Sequence, residues 1–271
     1  MDGRPTDSPG RRPAAVDGGI ANPKAVAWNR LGSAYWNRNY DGGPDEAGCA
    51  QYLGGVAGGE RVLLVGASTV RLARAALDAG ARLVVADFSE ILLAELEASL
   101  GADAARYVRA DVVSADPPDV GRFDLIVADR LVNRFTRDEM VRALRFLASA
   151  VDVGGRMRLS YRLGLYERDE LLLAEARRRG EQAAVFDEAA FDVDYSGASG
   201  WLAEVLPRHG DIPVEALVDF YVARGREHRL REGELDGLLA EAVGDGTRYR
   251  VAHLPVPGLP ADLLLEFTRS A

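Results

Sequence analysis

The stretch Arg61–Ser89, "RVLLVGASTVRLARAALDAGARLVVADFS", decides the fold. Its ends, "RVLLVGA" and "RLVVADF", are short, continuous apolar runs, as in parallel strands buried on both faces. Between them "TVRLARAALDAG" has helical spacing and stops at a glycine suited to a helix C-terminus. Strand, tight turn, helix and strand make one βαβ unit. The turn, Gly66-Ala67-Ser68-Thr69-Val70, holds a single glycine. Nucleotide-binding turns commonly carry two or three, because a phosphate or carboxylate must approach the backbone.

The alternation continues beyond this unit. "EILLAELEASLG", "TRDEMVRALRFLASAV" and "ERDELLLAEARRRG" read as helices, and "ARYVRADV", "FDLIVADR" and "GGRMRLSYR" as strands. Thr136 and Glu139 form a capping-box pair ahead of an apolar helical face. After Gly180 regularity weakens, and residues 180–210 are expected to be an irregular or partly helical insertion. Helical spacing returns in "PVEALVDFYVARG" and "EGELDGLLAEAVG". The closing "RYRVAHLPVPGLPADLLLEFTR" reads as two strands around a Pro-Gly-Pro-containing connection, hence an antiparallel pair. The expectation is one doubly wound α/β domain over residues 59–271. Residues 1–23 lack periodicity and are expected to be a disordered tail. Residues 24–58 are expected to form a helical lid carrying Trp28, Tyr35 and Trp36.

Bulk properties narrow the function. A net charge of −9 with no long basic run argues against nucleic-acid binding. No apolar run reaches the roughly 20 residues of a membrane span. The single cysteine, Cys49, excludes an internal disulfide and suits the cytoplasm. Among 33 basic residues only Lys24 is a lysine, which counts against Schiff-base and Tyr-x-x-x-Lys reductase chemistry. His209, His228 and His253 are dispersed and lack metal-ligand spacing, so no metal site is expected.

In such a sheet, ligands bind outside the carboxyl ends of the strands. Those ends carry Gly66-Ala67-Ser68-Thr69, then Asp87-Phe88-Ser89, Asp111-Val112, the run from Asp129 and Arg130 to Asn133 and Arg134, and finally Tyr161, Arg162 and Tyr166. An acid about twenty residues past the glycine turn is placed to grip a ribose diol. Asp87 can instead cap the helix that begins at Ser89.

The series "VLLVGASTVRLA", "VVADFS", "RADV", "FDLIVADRLVNRF" and "VGGRMRLSYR" resembles the class I S-adenosylmethionine-dependent methyltransferases over residues 60–162. The resemblance implies a Rossmann-like α/β fold, with a mostly parallel seven-stranded sheet, a C-terminal antiparallel hairpin and S-adenosylmethionine as cofactor. By the same resemblance Gly66, Ala67, Ser68 and Thr69 line the methionine part. Asp87 takes the ribose, Phe88 and Ser89 flank the adenine, and Asp111 and Val112 meet its amino group. Asp129 lies near the sulfonium or the ammonium. Asn133, Arg134, Tyr161 and Tyr166 become candidate catalytic groups. Trp28, Tyr35, Trp36, Arg130 and Arg162 become candidate substrate contacts, the arginines suiting a carboxylate.

The chain departs from the family where an acid usually stands two places before the glycine; here it is Leu64. Ser68 and Val70 replace further glycines. The leading expectation is a methyltransferase for a small polar or anionic metabolite, with a homodimer admissible. Transfer or cyclisation of the cofactor's aminocarboxypropyl arm, with release of methylthioadenosine, is the alternative. A non-catalytic binding protein ranks third, and a nicotinamide-linked reductase a distant fourth.

Overall fold

A computed structural model describes residues 23–39, 43–67, 70–207 and 212–270, with the side chains of 32–39 excepted. The expected N-terminal tail through residue 22, Ser68, Thr69, His209 and the side chains of Tyr35 and Trp36 lie outside the described residues. Strands β1 (Arg61–Val65), β2 (Arg82–Asp87), β3 (Arg106–Arg109), β4 (Phe123–Ala128) and β5 (Val151–Arg162) run parallel. Strands β6 (Phe186–Asp187), β7 (Asp192–Asp194) and β8 (Arg226–His228) form a separate small antiparallel sheet. Strands β9 (Tyr249–Val256) and β10 (Leu259–Arg269) complete the main sheet in the order β3-β2-β1-β4-β5-β10-β9. β10 is antiparallel to both its neighbours, which confirms the expected C-terminal hairpin.

Burial on both faces explains the continuous apolar runs. Leu63 and Val65 of β1 enter one core, while Val62 and Leu64 enter the other. The first core is covered by α5 (Arg137–Ala150) and α9 (Glu234–Val243). Against the second lie α2 (Glu46–Leu53), α3 (Val70–Asp78) and α4 (Glu90–Leu100). The capping box at α5 is formed: the Thr136 amide donates to Glu139 Oε2 at 2.8 Å, and the Glu139 amide to Thr136 Oγ1 at 3.4 Å.

Helix α1 (Pro23–Asn39) lies across the carboxyl edge of this sheet. Ser89, at the exit of β2, donates its hydroxyl to Asn29 Oδ1 at 2.7 Å. Lys24 donates to the Arg134 carbonyl at 3.0 Å and to Glu139 Oε2 at 2.8 Å, beyond the exit of β4. Five helical residues advance about 7.5 Å, and two strand spacings amount to about 10 Å. One and a half turns of α1 therefore bridge the exits of β2 and β4, with β1 between them.

A third core joins α1 to the segment between β5 and α9: α6 (Glu167–Arg179), α7 (Gln182–Val185), the small sheet and α8 (Val214–Arg224). Trp28 packs edge-on against Phe220 of α8 at 4.8 Å. The segment is tied to the main sheet where the His228 amide donates to the Phe135 carbonyl at 2.8 Å and the Gly164 amide to the Leu230 carbonyl at 2.9 Å. Strands of two and three residues are too short to leave an alternating pattern, so periodicity did not reveal this sheet. No helix among the described residues is long and apolar enough to cross a membrane.

Candidate functional site

The residues singled out at the strand exits divide between two neighbouring regions and the core. At β1, Gly66 sits at φ 106°, a conformation that L side chains rarely adopt. A Cβ placed on it would touch nothing within 4 Å, so backbone geometry rather than crowding requires glycine there. The Asp87 carboxylate, buried at the exit of β2, accepts from the Ala67 amide and from the Ser89 amide, each at 2.7 Å. It thereby pins the β1 turn to the start of α4. Burial pushes this carboxyl up to about 6; the amides of Ser89 and Ala67 oppose the shift, and nearby Asp111 adds to it.

Ser89, fully buried, is the N-cap of α4: its Oγ accepts from the Leu92 amide at 3.2 Å. The helix cap considered for Asp87 thus falls to Ser89. Asp111 holds its own turn, accepting from the Val113 amide at 3.1 Å. Val112 is buried in the core against α5, and Phe88 is half-buried.

Asp129 at the exit of β4 is held by two hydroxyls. Tyr52 of α2 donates to its Oδ1 at 2.8 Å and Ser160 of β5 at 2.7 Å. Burial, and the Asp129 charge next to it, push the Tyr52 phenol well above its ordinary range, so it remains a donor. The register pairs Leu64 with Val127, which places Asp129 two residues further along from Leu64's neighbour. Asp129 and Tyr52 line a cleft of about 320 Å³ with Arg130, Ser160, Asp262 and the β9–β10 turn. Arg130 stands at φ 49°, uncommon for a residue with a side chain. Its amide donates to Ser160 Oγ at 2.8 Å and its guanidinium to buried Asp262 at 2.7 Å. Arg162 shares that carboxylate at 3.3 Å.

Of the four groups considered for catalysis, Arg134 and Tyr166 come together beside Arg162, and the other two are drawn into the fold. Asn133 is fully buried and staples β4 to β5, donating to the Arg162 carbonyl at 3.0 Å and accepting from the Arg162 amide at 2.8 Å. Tyr161 lies in the core on the α5 and α9 side, its hydroxyl 2.8 Å from His253 Nδ1. Burial pushes its phenol up to about 12. The arginines of Arg134 and Arg162 lie over the Tyr166 ring, their guanidinium carbons 5.8 and 5.1 Å from its centroid. Arg168 and Arg229, which the sequence did not single out, stand over the same ring at 5.7 and 4.9 Å. Tyr52, Ser160 and Asp262 were missed as well.

A sheet of this order, with a glycine turn and carboxylates at its exits, defines the class I methyltransferase fold, and solved structures carry it. A Rhodobacter sphaeroides protein with the provisional name of Zn-dependent alcohol dehydrogenase is 30% identical, covering 92% of this chain and 100% of its own, with a TM-score of 0.86. The CcbJ methyltransferase of Streptomyces caelestis is 14% identical, covering 92% and 99%, at a TM-score of 0.57. The Burkholderia thailandensis 1,6-didemethyltoxoflavin-N1-methyltransferase, solved with S-adenosylhomocysteine, is 17% identical, covering 94% and 93%, at 0.52. No protein-family model and no curated protein matches the chain. The chain thus has the class I S-adenosylmethionine-dependent methyltransferase fold.

The zinc in the Rhodobacter protein's name finds no counterpart among the described residues. Among the described residues no three His, Cys, Asp or Glu side chains gather where a metal ion could be held. Cys49 is buried, with its thiol on the Pro44 carbonyl at 3.6 Å, and burial raises its pKa away from the thiolate a metal needs.

Proposed function

We propose that the chain is an S-adenosylmethionine-dependent methyltransferase acting on a small, polar or anionic metabolite. The observation that carries this reading is the Asp87 carboxylate joining the β1 turn to the β2 exit, with Asp129 fixed by Tyr52 and Ser160 two strands away. The donor set suits the cofactor: the Asp87 carboxylate keeps accepting capacity for a ribose hydroxyl, and a half-buried carboxylate at Asp129 suits an ammonium or sulfonium. S-adenosylmethionine, when bound, supplies a methyl group on a cationic sulfur, open to in-line attack.

The chain's own residues then have separable tasks. Asp87 accepts from the ribose, Asp111 from the adenine amino group, and Phe88 offers an apolar wall. Asp129 replaces the carboxylate lost at Leu64, from the next strand. Helix α1 and the segment from α6 to β8 roof the exits and exclude water, which strengthens every charge interaction beneath them. Catalysis here rests on positioning within a closed pocket, so a histidine base is not required.

Calorimetry with S-adenosylhomocysteine, and mass spectrometry of the protein incubated with S-adenosylmethionine, test the reading. Binding, with S-adenosylhomocysteine formed only when an acceptor is added, supports it. Methylthioadenosine released without an acceptor means that the aminocarboxypropyl arm reacts instead, and absence of binding removes the cofactor altogether.

A further inference from the structure

Beneath the roof lies a concentration of guanidiniums that the fold does not neutralise. Two are fully matched. Arg224 grips Glu227 through two hydrogen bonds of 2.7 Å, and Arg229 holds Asp169 at 2.6 Å and Glu227 at 3.0 Å, all four side chains being buried. Arg162 has only a share of Asp262, at 3.3 Å, the closer partner of that acid being Arg130 at 2.7 Å. Arg134 and Arg168 form no ion pair among the described residues. Arg168 donates instead to the hydroxyls of Tyr195 and Tyr221, at 3.2 and 2.7 Å, which are neutral acceptors.

The unmatched charges carry spare donors within one neighbourhood. Arg134 Nη1, Arg162 Nε, Arg168 Nη2 and the Tyr166 hydroxyl are each buried and without a hydrogen-bond partner. All belong to side chains gathered around the one Tyr166 ring. Native proteins leave few buried polar atoms unpaired, and a buried charge without a partner is strongly unfavourable. Four such atoms of the same donor character, three of them on cations, are the complement of an oxyanion. Arg134, Arg162 and Tyr166 are half-buried rather than sealed, so the cage keeps an open side. It stands past the exits of β4 and β5, on the far side of β4 from Asp87.

We propose that Arg134, Arg162, Arg168 and Tyr166 form a receptor for an oxyanion, the carboxylate or phosphoryl group of the acceptor. The receptor stands on its own charge balance. Only the assignment of its anion to the acceptor rests on the methyltransferase reading.

The test measures thermal unfolding of the full chain in chloride buffer of fixed ionic strength, with inorganic phosphate or malonate as probe. At least one probe raises Tm of the wild type, and the stronger of the two identifies the phosphoryl or the carboxylate form. Arg134→Gln and Arg168→Gln lose that shift while S-adenosylhomocysteine affinity stays within about twofold, about 0.4 kcal/mol. Arg134 makes no side-chain hydrogen bond among the described residues, and its remaining contacts are the Tyr166 ring and the more distant charge of Glu227, so the unliganded Arg134→Gln protein unfolds close to the wild type. A structural arginine would instead give a marked loss of Tm without any anion.

A shift unchanged in both variants, or no shift with either probe, overturns the receptor. Loss of S-adenosylhomocysteine binding together with the shift overturns the acceptor assignment, because the arginines would then serve the cofactor's own carboxylate. An anion shift that behaves as expected in a protein that never binds S-adenosylhomocysteine leaves the receptor standing and removes the methyltransferase reading.

Discussion

Asp262 of β10 holds the guanidinium of Arg130 at 2.7 Å, and Arg130 occupies the left-handed backbone region at φ 49°. The two facts belong together, since a strained residue persists only where its surroundings over-determine it. The strain and the ion pair separate by substitution. Arg130→Ala loses the pair and keeps the strain, whereas Arg130→Gly loses both. The glycine variant is therefore expected to be more stable than the alanine variant by about 1 kcal/mol in urea unfolding. Equal stabilities would show that the backbone relaxes once the ion pair is gone.

Asp87 should leave a pH signature. Its carboxyl is pushed up to about 6 from an ordinary 3.8, so the folded protein holds this proton more tightly than the unfolded chain. The resulting stabilisation is complete below the unfolded value and is lost as pH rises through the folded one. Keeping the ionised group buried above pH 6 costs about 3 kcal/mol. Relative to the wild type, Asp87→Asn is expected to gain stability between pH 4 and pH 6.5, read as the difference in urea midpoints at the two ends. The same proton weakens the acceptor proposed for the ribose hydroxyls. Wild-type affinity for S-adenosylhomocysteine should fall as pH drops through 6, and the variant's should be about tenfold weaker and flat across that range.

Lys24 bonds the very Glu139 oxygen that completes the α5 capping box. Lys24→Met keeps the stem and removes the charge-assisted bond, about 1.5 kcal/mol. Amides of α1 are expected to exchange roughly tenfold faster, with those of α5 little changed. Unaltered exchange in α1 would mean that its apolar face against α8 carries the docking alone.

The Arg229–Asp169 pair, both side chains fully buried at 2.6 Å, should be the costliest single contact to break. In Arg229→Met, Asp169 keeps the Tyr195 hydroxyl at 2.5 Å and the Tyr166 amide at 2.8 Å but loses its counter-charge. A loss of about 3–5 kcal/mol in denaturant unfolding is expected. A loss below 1 kcal/mol would mean that water reaches Asp169 once the arginine is removed.

The main sheet was legible in the sequence because its central strands are buried on both faces, which prints an unbroken apolar run in β1, β2 and β4. The exits of those strands followed from the topology, and with them Asp87 and Asp129. The partners of those groups were not legible. Tyr52 reaches Asp129 across 77 residues of sequence, and Arg130 meets Asp262 across 132. Nothing local in α2 or β10 marks either partner. Asp169 looks like an ordinary acid in a helix's first turn, since its value as a counter-ion depends on Arg229, 60 residues away. Arg168 was hidden for a related reason: an arginine on a polar helix reads as solvated until a neighbouring segment folds over it.

The placement of β10 between β5 and β9 has a consequence for biosynthesis. A ribosome emits β1 to β5 in the order that lets each helix and strand settle on its predecessor, but Asp262 emerges a hundred residues after the end of β5. Until it does, the half of β5 that carries Ser160 and Arg162 has an open edge, and Arg130 and Arg162 lack the carboxylate that joins them in the folded chain. The nascent chain can thus build the half that carries Asp87 well before its arginine-rich half. A stalled or prematurely released product would be a scaffold whose charges have yet to be set.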